Sequence, residues 1–287
     1  MSSHVPEFVV ITLAAAVVNG ALGYGFSSIT VPLALLFLSN RVLNPALVLS
    51  EVVLNGYVLW VNRDALPRVR RRLSPILAGL VPGIIGGTAA VALVRPDWLK
   101  LWTFALLLPL ILLQAAGFRR PLRSERRWGL PIGTGIGALY SLTTVSGPPL
   151  ALVLNNQGLV KREFRAALGL IRLAEASLTA VAYWYAGFFT RESLGLLPLL
   201  VPSLLIGVPV GVWLIRRVEA ETFRRVCMSF DVWIVGFGIS TLLRALRLVE
   251  APQCYLVLAA VGAADAVLLY RFFALTRRPA PAFSRGA

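Results

Sequence analysis

Seven stretches of this chain are apolar and long enough to cross a lipid bilayer, and no soluble fold can absorb them. They fall at about 44–62, 75–94, 98–116, 166–186, 195–215, 226–243 and 253–273. A membrane helix needs about 20 mostly apolar residues. Within hydrocarbon a helix also satisfies its own N–H and C=O groups, which an irregular chain cannot do. Composition agrees. Of 287 residues, 57% are apolar and only 14% charged, whereas a soluble domain carries about 25% charged residues. A water-soluble enzyme is excluded. The expectation is an all-α, polytopic membrane protein, with residues 1–287 forming one transmembrane domain.

Four further apolar runs, 6–22, 27–39, 129–142 and 147–155, are too short to cross alone. They come in two pairs. Gly23-Tyr24-Gly25 joins the first pair, and the run from Thr143 through Ser146-Gly147-Pro148-Pro149 joins the second. Both junctions break helices. Each pair therefore reads as a re-entrant or broken helical hairpin that returns to the side it came from.

Lys and Arg number 28 against 13 Asp and Glu, a net charge of +15. In a soluble chain that balance would point to nucleic acid. Here the cations cluster between apolar runs, as in cytoplasmic loops of membrane proteins. The clusters are Arg63/Arg68/Arg70/Arg71/Arg72, Arg119/Arg120/Arg123/Arg126/Arg127, Lys161/Arg162/Arg165, Arg216/Arg217/Arg224/Arg225 and Arg271/Arg277/Arg278/Arg285. Seven spans and two hairpins put all 21 of these on one side and six on the other: Arg41, Arg95, Lys100, Arg191, Arg244 and Arg247. The expected partner of this charge is the lipid bilayer, with no nucleic acid involved. The C-terminus lies in the cytoplasm and the N-terminus outside. No basic residue precedes the first apolar run, so a cleaved signal peptide is not expected.

An offset of 124 residues brings Gly23 onto Gly147, Arg41 onto Arg165, Glu51 onto Glu175, Trp60 onto Trp184, Gly83 onto Gly207 and Gly87 onto Gly211. The expected repeats are 6–118 and 129–243, each a hairpin plus three spans. Three spans are an odd number, so the second repeat is inverted. The run 253–273 is an extra C-terminal helix. Inverted repeats around broken helices are an architecture of secondary transporters.

Where a broken helix restarts, free N–H groups favour an anion. The candidate substrate-binding residues are Asn19, Gly23, Gly25, Ser27 and Ser28 at the first break, and Thr143, Thr144, Ser146 and Gly147 at the second. Glycine lets a ligand approach the backbone, and the hydroxyls add donors. Gly83, Gly87, Gly207 and Gly211 read instead as close helix packing. Ionisable groups inside spans are Glu51, Arg172, Glu175, Asp231 and Asp265, and each should face protein or a cavity. Arg172 and Glu175 lie three apart on one helix face. They read either as a buried ion pair or as an anion-holding cation beside a proton-carrying carboxylate. Glu51, with Asn55 one turn on and Asn19 across the hairpin, joins Glu175 as a candidate coupling or gating carboxylate. Trp60 and Trp184 sit near span ends, as interfacial aromatics do. The lone His4 and the separated Cys227 and Cys254 supply no metal site, triad or disulfide framework. No cofactor is expected, and no Gly-x-x-x-x-Gly-Lys-Ser/Thr loop occurs for ATP.

The run from Asn19 to Pro32 with Pro45-Ala46 and Ser50, and the run from Gly133 to Pro149 with Phe164-Arg165-Ala166, resemble the two repeat signatures of the sulfite exporter TauE/SafE family. The resemblance covers nearly the whole chain. Two departures are Phe26, where a third glycine often stands, and Gly-Pro-Pro at the second break. The resemblance implies an inner-membrane permease for sulfur-containing anions such as sulfite, thiosulfate and organosulfonates.

The expected function is a secondary transporter, not an enzyme. It would carry a small anion, a sulfite- or organosulfonate-like oxyanion, by alternating access, with possible proton or ion coupling. The alternatives are an anion channel of the same shape, an intramembrane enzyme, and a scaffold without substrate.

Overall fold

The computed structural model describes residues 4–23, 25–116, 125–155, 161–217, 220–250 and 252–276. Tyr24, Asn156 and the basic residues Arg119, Arg120, Arg123, Arg277, Arg278 and Arg285 lie outside the described residues, as do the side chains of Arg126, Arg127, Asn155, Lys161 and Arg224. The helices are α1 (Val5–Leu22), α2 (Phe26–Ala34), α3 (Asn40–Val61), α4 (Leu66–Leu93), α5 (Pro96–Ala115), α6 (Glu125–Thr143), α7 (Gly147–Asn155), α8 (Lys161–Tyr185), α9 (Arg191–Leu194), α10 (Leu197–Leu214), α11 (Ala220–Ala245) and α12 (Leu256–Thr276). No strand occurs among the described residues. The chain is an all-α polytopic membrane protein.

Among the described residues eight helical segments are long and apolar enough to cross a bilayer, one more than the hydropathy reading allows. The addition is α1. Its 18 residues rise about 27 Å, close to the thickness of the hydrocarbon. Each expected hairpin is therefore lopsided. A long arm, α1 or α6, is followed by a nine-residue half-helix, α2 or α7.

Packing links distant parts of the chain. The long arm α1 lies along α10, and the long arm α6 lies along α4. α3 packs on α8, and α5 on α11. The half-helix α2 rests on α1 and α11, while α7 rests on α8 and α5. α12 covers α11. The arm contacts are close because glycine removes the side chain between them. A Cβ on Gly83 would stand 2.1 Å from the Thr134 carbonyl oxygen of α6, and one on Gly211 would stand 1.9 Å from the Val17 carbonyl oxygen of α1. Gly87 and Gly207 are equally crowded, by Ser141 and Ala16. All four expected packing glycines thus lie at helix crossings, where small residues let backbones touch.

The apolar core divides accordingly. One cluster runs through α1, α2, α5, α10 and α11 and the start of α3; another runs through α4, α6, α7 and α8. A small third cluster, Val48, Tyr140, Ala176 and Tyr183, sits beside the buried charges. The outer surface carries large exposed apolar side chains, including Val53, Ile85, Leu205, Val267 and Tyr270, as a lipid-facing wall should. Trp60 and Trp184 are exposed near span ends. Arg63 lies over the Trp60 ring and Arg217 over Trp213, where cations and aromatics meet headgroups. Arg41 donates to the carbonyls of Val91, Ala92 and Val94. It therefore closes the C-terminal end of α4, a favourable place for a cation.

Candidate functional site

Both predicted interruptions exist, and each is built from left-handed backbone. α1 stops at Gly23, at φ +82°, whose N–H donates to the Asn19 carbonyl at 2.7 Å. Gly25, at φ +111°, then caps α2. α6 stops at Thr144, at φ +56°, whose N–H donates to the Tyr140 carbonyl at 2.6 Å. Its hydroxyl binds the Thr143 carbonyl. A residue with a Cβ in this region is strained by roughly 1–2 kcal/mol, a cost that the glycines of the first break avoid. Gly23 to Thr144, Gly25 to Ser146 and Phe26 to Gly147 each differ by 121 positions. The breaks are therefore 121 positions apart rather than the 124 of the sequence comparison.

The two restarts differ as anion donors. At α2 the N–H groups of Phe26, Ser27 and Ser28 fall in the first turn, where no intrahelical acceptor exists. At α7 the second and third residues are Pro148 and Pro149, which have no N–H. Only Gly147 offers a free backbone donor there. The α2 tip is therefore the richer of the two.

Between the restarts lies a buried charged cluster. Glu51 of α3 and Glu175 of α8 are 0% exposed, and Arg172 of α8 is 2% exposed. Glu51 receives three hydrogen bonds from three helices. Ser27 Oγ of α2 and Arg172 Nη2, at 2.9 Å, donate to Oε1, while the Tyr140 hydroxyl of α6 donates to Oε2 at 2.8 Å. Glu175 receives the hydroxyl of Ser146, the residue just before α7. Each break thus hands one serine to one carboxylate. Glu175, Glu51, Arg172 and Tyr140 all lie within electrostatic reach of one another.

The expected partnership of Arg172 is corrected here. Its ion pair is with Glu51, 121 residues away, rather than with Glu175 on its own helix. The i,i+3 spacing does bring Glu175 near, but its carboxylate turns to Ser146, and the guanidinium crosses to α3. Thr143 Oγ1 is engaged by the Leu139 carbonyl and the Val145 N–H, and the Thr144 hydroxyl by Thr143. Both hydroxyls serve the break itself rather than standing free for a ligand. Ser28 is buried. Asn19 is buried with Oδ1 unpartnered, and no hydrogen bond joins it to Glu51. The buried atoms without a partner include the donors Arg172 Nε and Asn55 Nδ2 and the acceptor Glu175 Oε2. Asp265 lies apart, paired with Arg225 at 2.9 Å. Arg225 is therefore not a free loop cation, as its cluster with Arg216 and Arg217 implied.

Three residues escape the sequence reading. Tyr140 binds Glu51. Tyr183 donates to the Ser141 carbonyl, and Asn44 to the Leu142 carbonyl at 2.8 Å, so both brace the end of α6. The available signal was position. Tyr140 and Tyr183 are 0% exposed, whereas membrane tyrosines usually mark interfaces, and Tyr140 stands four residues before a break. A groove of about 880 Å³ between α3 and α10, lined by Leu54, Tyr57, Val201, Leu205 and Trp213 among others, is apolar. It suits hydrocarbon rather than an anion.

Among the described residues no group of His, Cys, Asp and Glu could hold a metal ion. The chemistry on offer is anion recognition and proton exchange. The family model described as sulfite exporter TauE/SafE matches residues 8–238, which is 231 of the 287 residues. No curated protein matches the chain. No solved structure matches it either.

Proposed function

The chain belongs to the sulfite exporter TauE/SafE family, and from that premise we propose that it carries a small sulfur oxyanion, sulfite or an organosulfonate, across the cytoplasmic membrane by alternating access. One observation carries this reading above the others. Two interrupted helices from different halves of the chain meet, through Ser27 and Ser146, at a buried cluster holding Arg172. Buried charge is expensive in a membrane and is kept where a pathway needs it. The α2 tip and the Ser27 and Ser28 hydroxyls, with Arg172, form the anion-binding face. Gly23, Gly25, Asn19, Thr143, Thr144 and Gly147 shape it. Glu51 and Glu175 couple or gate.

The two inverted repeats, 6–118 and 129–243, are the moving parts in this proposal. The packing supports that division. Exchanging the halves turns the α1–α10 contact into the α6–α4 contact, and leaves α3 on α8 and α5 on α11. Rocking one half against the other would then expose the cluster to each side in turn. The charge distribution orients the protein with its C-terminus in the cytoplasm.

The test is flux in proteoliposomes with sulfite, sulfate, thiosulfate, sulfoacetate and taurine. A permease moves at least one sulfur oxyanion with saturation, and Arg172→Gln abolishes the movement. Saturable uptake of none of them sinks the reading. Ohmic conductance without saturation replaces it with a channel.

A further inference from the structure

We propose that Glu51 is a tethered stand-in for the transported anion: its carboxylate fills the oxyanion slot made by Ser27 Oγ, Tyr140 OH and Arg172 Nη2, and substrate enters as Glu51 leaves that slot carrying a proton. The inference rests on the permease reading and assigns that site its coupling rule.

The slot has the chemistry of an oxyanion receptor. Three donors from α2, α6 and α8 converge on one carboxylate. Carboxylate, sulfite and sulfonate all spread negative charge over oxygens that accept such donors. Arg172 retains a buried donor, Nε, with no partner. Nε and Nη2 lie on one edge of the guanidinium fork, which holds two oxygens of one anion better than a single contact does. The resident carboxylate uses only half of that fork.

An empty slot would leave the guanidinium buried and unpaired, which is strongly destabilising. The internal carboxylate removes that problem at rest. It also forbids an ionised Glu51 and a bound anion from sharing the slot, since a second negative charge would face one buried cation. The groups facing Glu51 sharpen the conflict. Arg172 and Glu175 come from α8 and Tyr140 from α6. α2 brings only hydroxyls, and α10 carries no charged residue. On α9, Arg191 and Glu192 are exposed. α5 meets α3 at Asn40, eleven residues from Glu51, so its Lys100 and Asp97 are remote. Among the described residues the hydrogen bonds and ion pairs bring Glu51 no cation besides Arg172. Adding a monoanion and one proton leaves the charge of the pair unchanged. The proton resides on a carboxyl oxygen of Glu51, and no other bond forms or breaks. Glu175 cannot play this part, because its hydrogen bond comes from neutral Ser146.

The experiment is calorimetric binding to the full chain in lipid nanodiscs, with methanesulfonate and thiosulfate as probes, because both keep their charge between about pH 5.5 and 7.5. Paired buffers of different ionisation heat count the protons. The wild type is expected to take up at least one proton per anion, and its affinity to weaken roughly tenfold per unit as pH rises. Glu51→Gln is expected to bind at least about tenfold more tightly than wild type at the upper pH, with a flat profile. Binding without proton uptake overturns the inference and leaves the permease intact. A folded Glu51→Gln that keeps the wild-type slope, or binds more weakly, also overturns it. Should that variant not fold, Glu175→Gln decides in its place: it is expected to keep the wild-type proton uptake, and loss of that uptake overturns the inference. If neither probe binds and the flux panel is also silent, the permease reading falls and takes this inference with it.

Discussion

Replacing Gly83 with alanine tests whether the two halves are held by backbone contact between α4 and α6. In an isolated helix the change would help, since alanine exceeds glycine by about 0.8–1.0 kcal/mol in helix propensity. Here the new Cβ would lie 2.1 Å from the Thr134 carbonyl oxygen and 2.8 Å from the Ala138 nitrogen. Ordinary contact begins near 3.4 Å, so the helices must part by roughly 1.3 Å. Overpacking of this size costs about 1–3 kcal/mol, and it outweighs the propensity gain. The matched control stands three residues away: at Gly86 an added Cβ meets nothing within 4 Å. Gly83→Ala should lower the thermal unfolding midpoint in a fixed detergent by several degrees, and Gly86→Ala should leave it unchanged or raise it. The damage should also reach the site, because α6 carries Tyr140 and ends at the second break. Equal midpoints for the two variants, or a Gly83→Ala protein as stable as wild type, would refute the packing argument.

The breaks give a second pair. Gly23→Ala puts a Cβ at φ +82° in open space, so its destabilisation, about 1–2 kcal/mol, should be pure backbone strain. Thr144→Gly relieves the same strain while losing the bond to the Thr143 carbonyl, and should be neutral or slightly stabilising by the same thermal assay. Asp265→Leu leaves Arg225 buried and unpaired and should cost about 3–5 kcal/mol. Adding Arg225→Met should recover most of that in a double-mutant cycle, and a simply additive double variant would deny the pair its role. Topology is checked with single cysteines in a chain lacking Cys227 and Cys254. Arg191→Cys should react with an impermeant reagent from outside intact cells and Arg68→Cys should not; the reverse pattern would invert the assigned orientation.

The order of residues alone dictates the class of fold and the location of the irregular backbone. Hydrocarbon tolerates only long apolar helices, and a glycine pair or a Gly-Pro-Pro between two apolar runs too short to span marks an interruption, so Gly23, Gly25 and the segment before Pro148 were legible as breaks. The Arg172–Glu51 pair was not. Spacing along one helix pointed to Glu175, because i,i+3 proximity is all a sequence displays, whereas a guanidinium reaches whatever carboxylate the neighbouring helix presents. The 121-residue offset of the breaks was hidden in the same way, since matching residues at 124 lie on helices whose ends had yet to be seen. Tyr140, Tyr183 and Asn44 entered the site only through the packing of α6 on α3 and α8. Local physics decides where a helix stops; which side chains then share one buried charge depends on helices more than a hundred residues apart coming into contact.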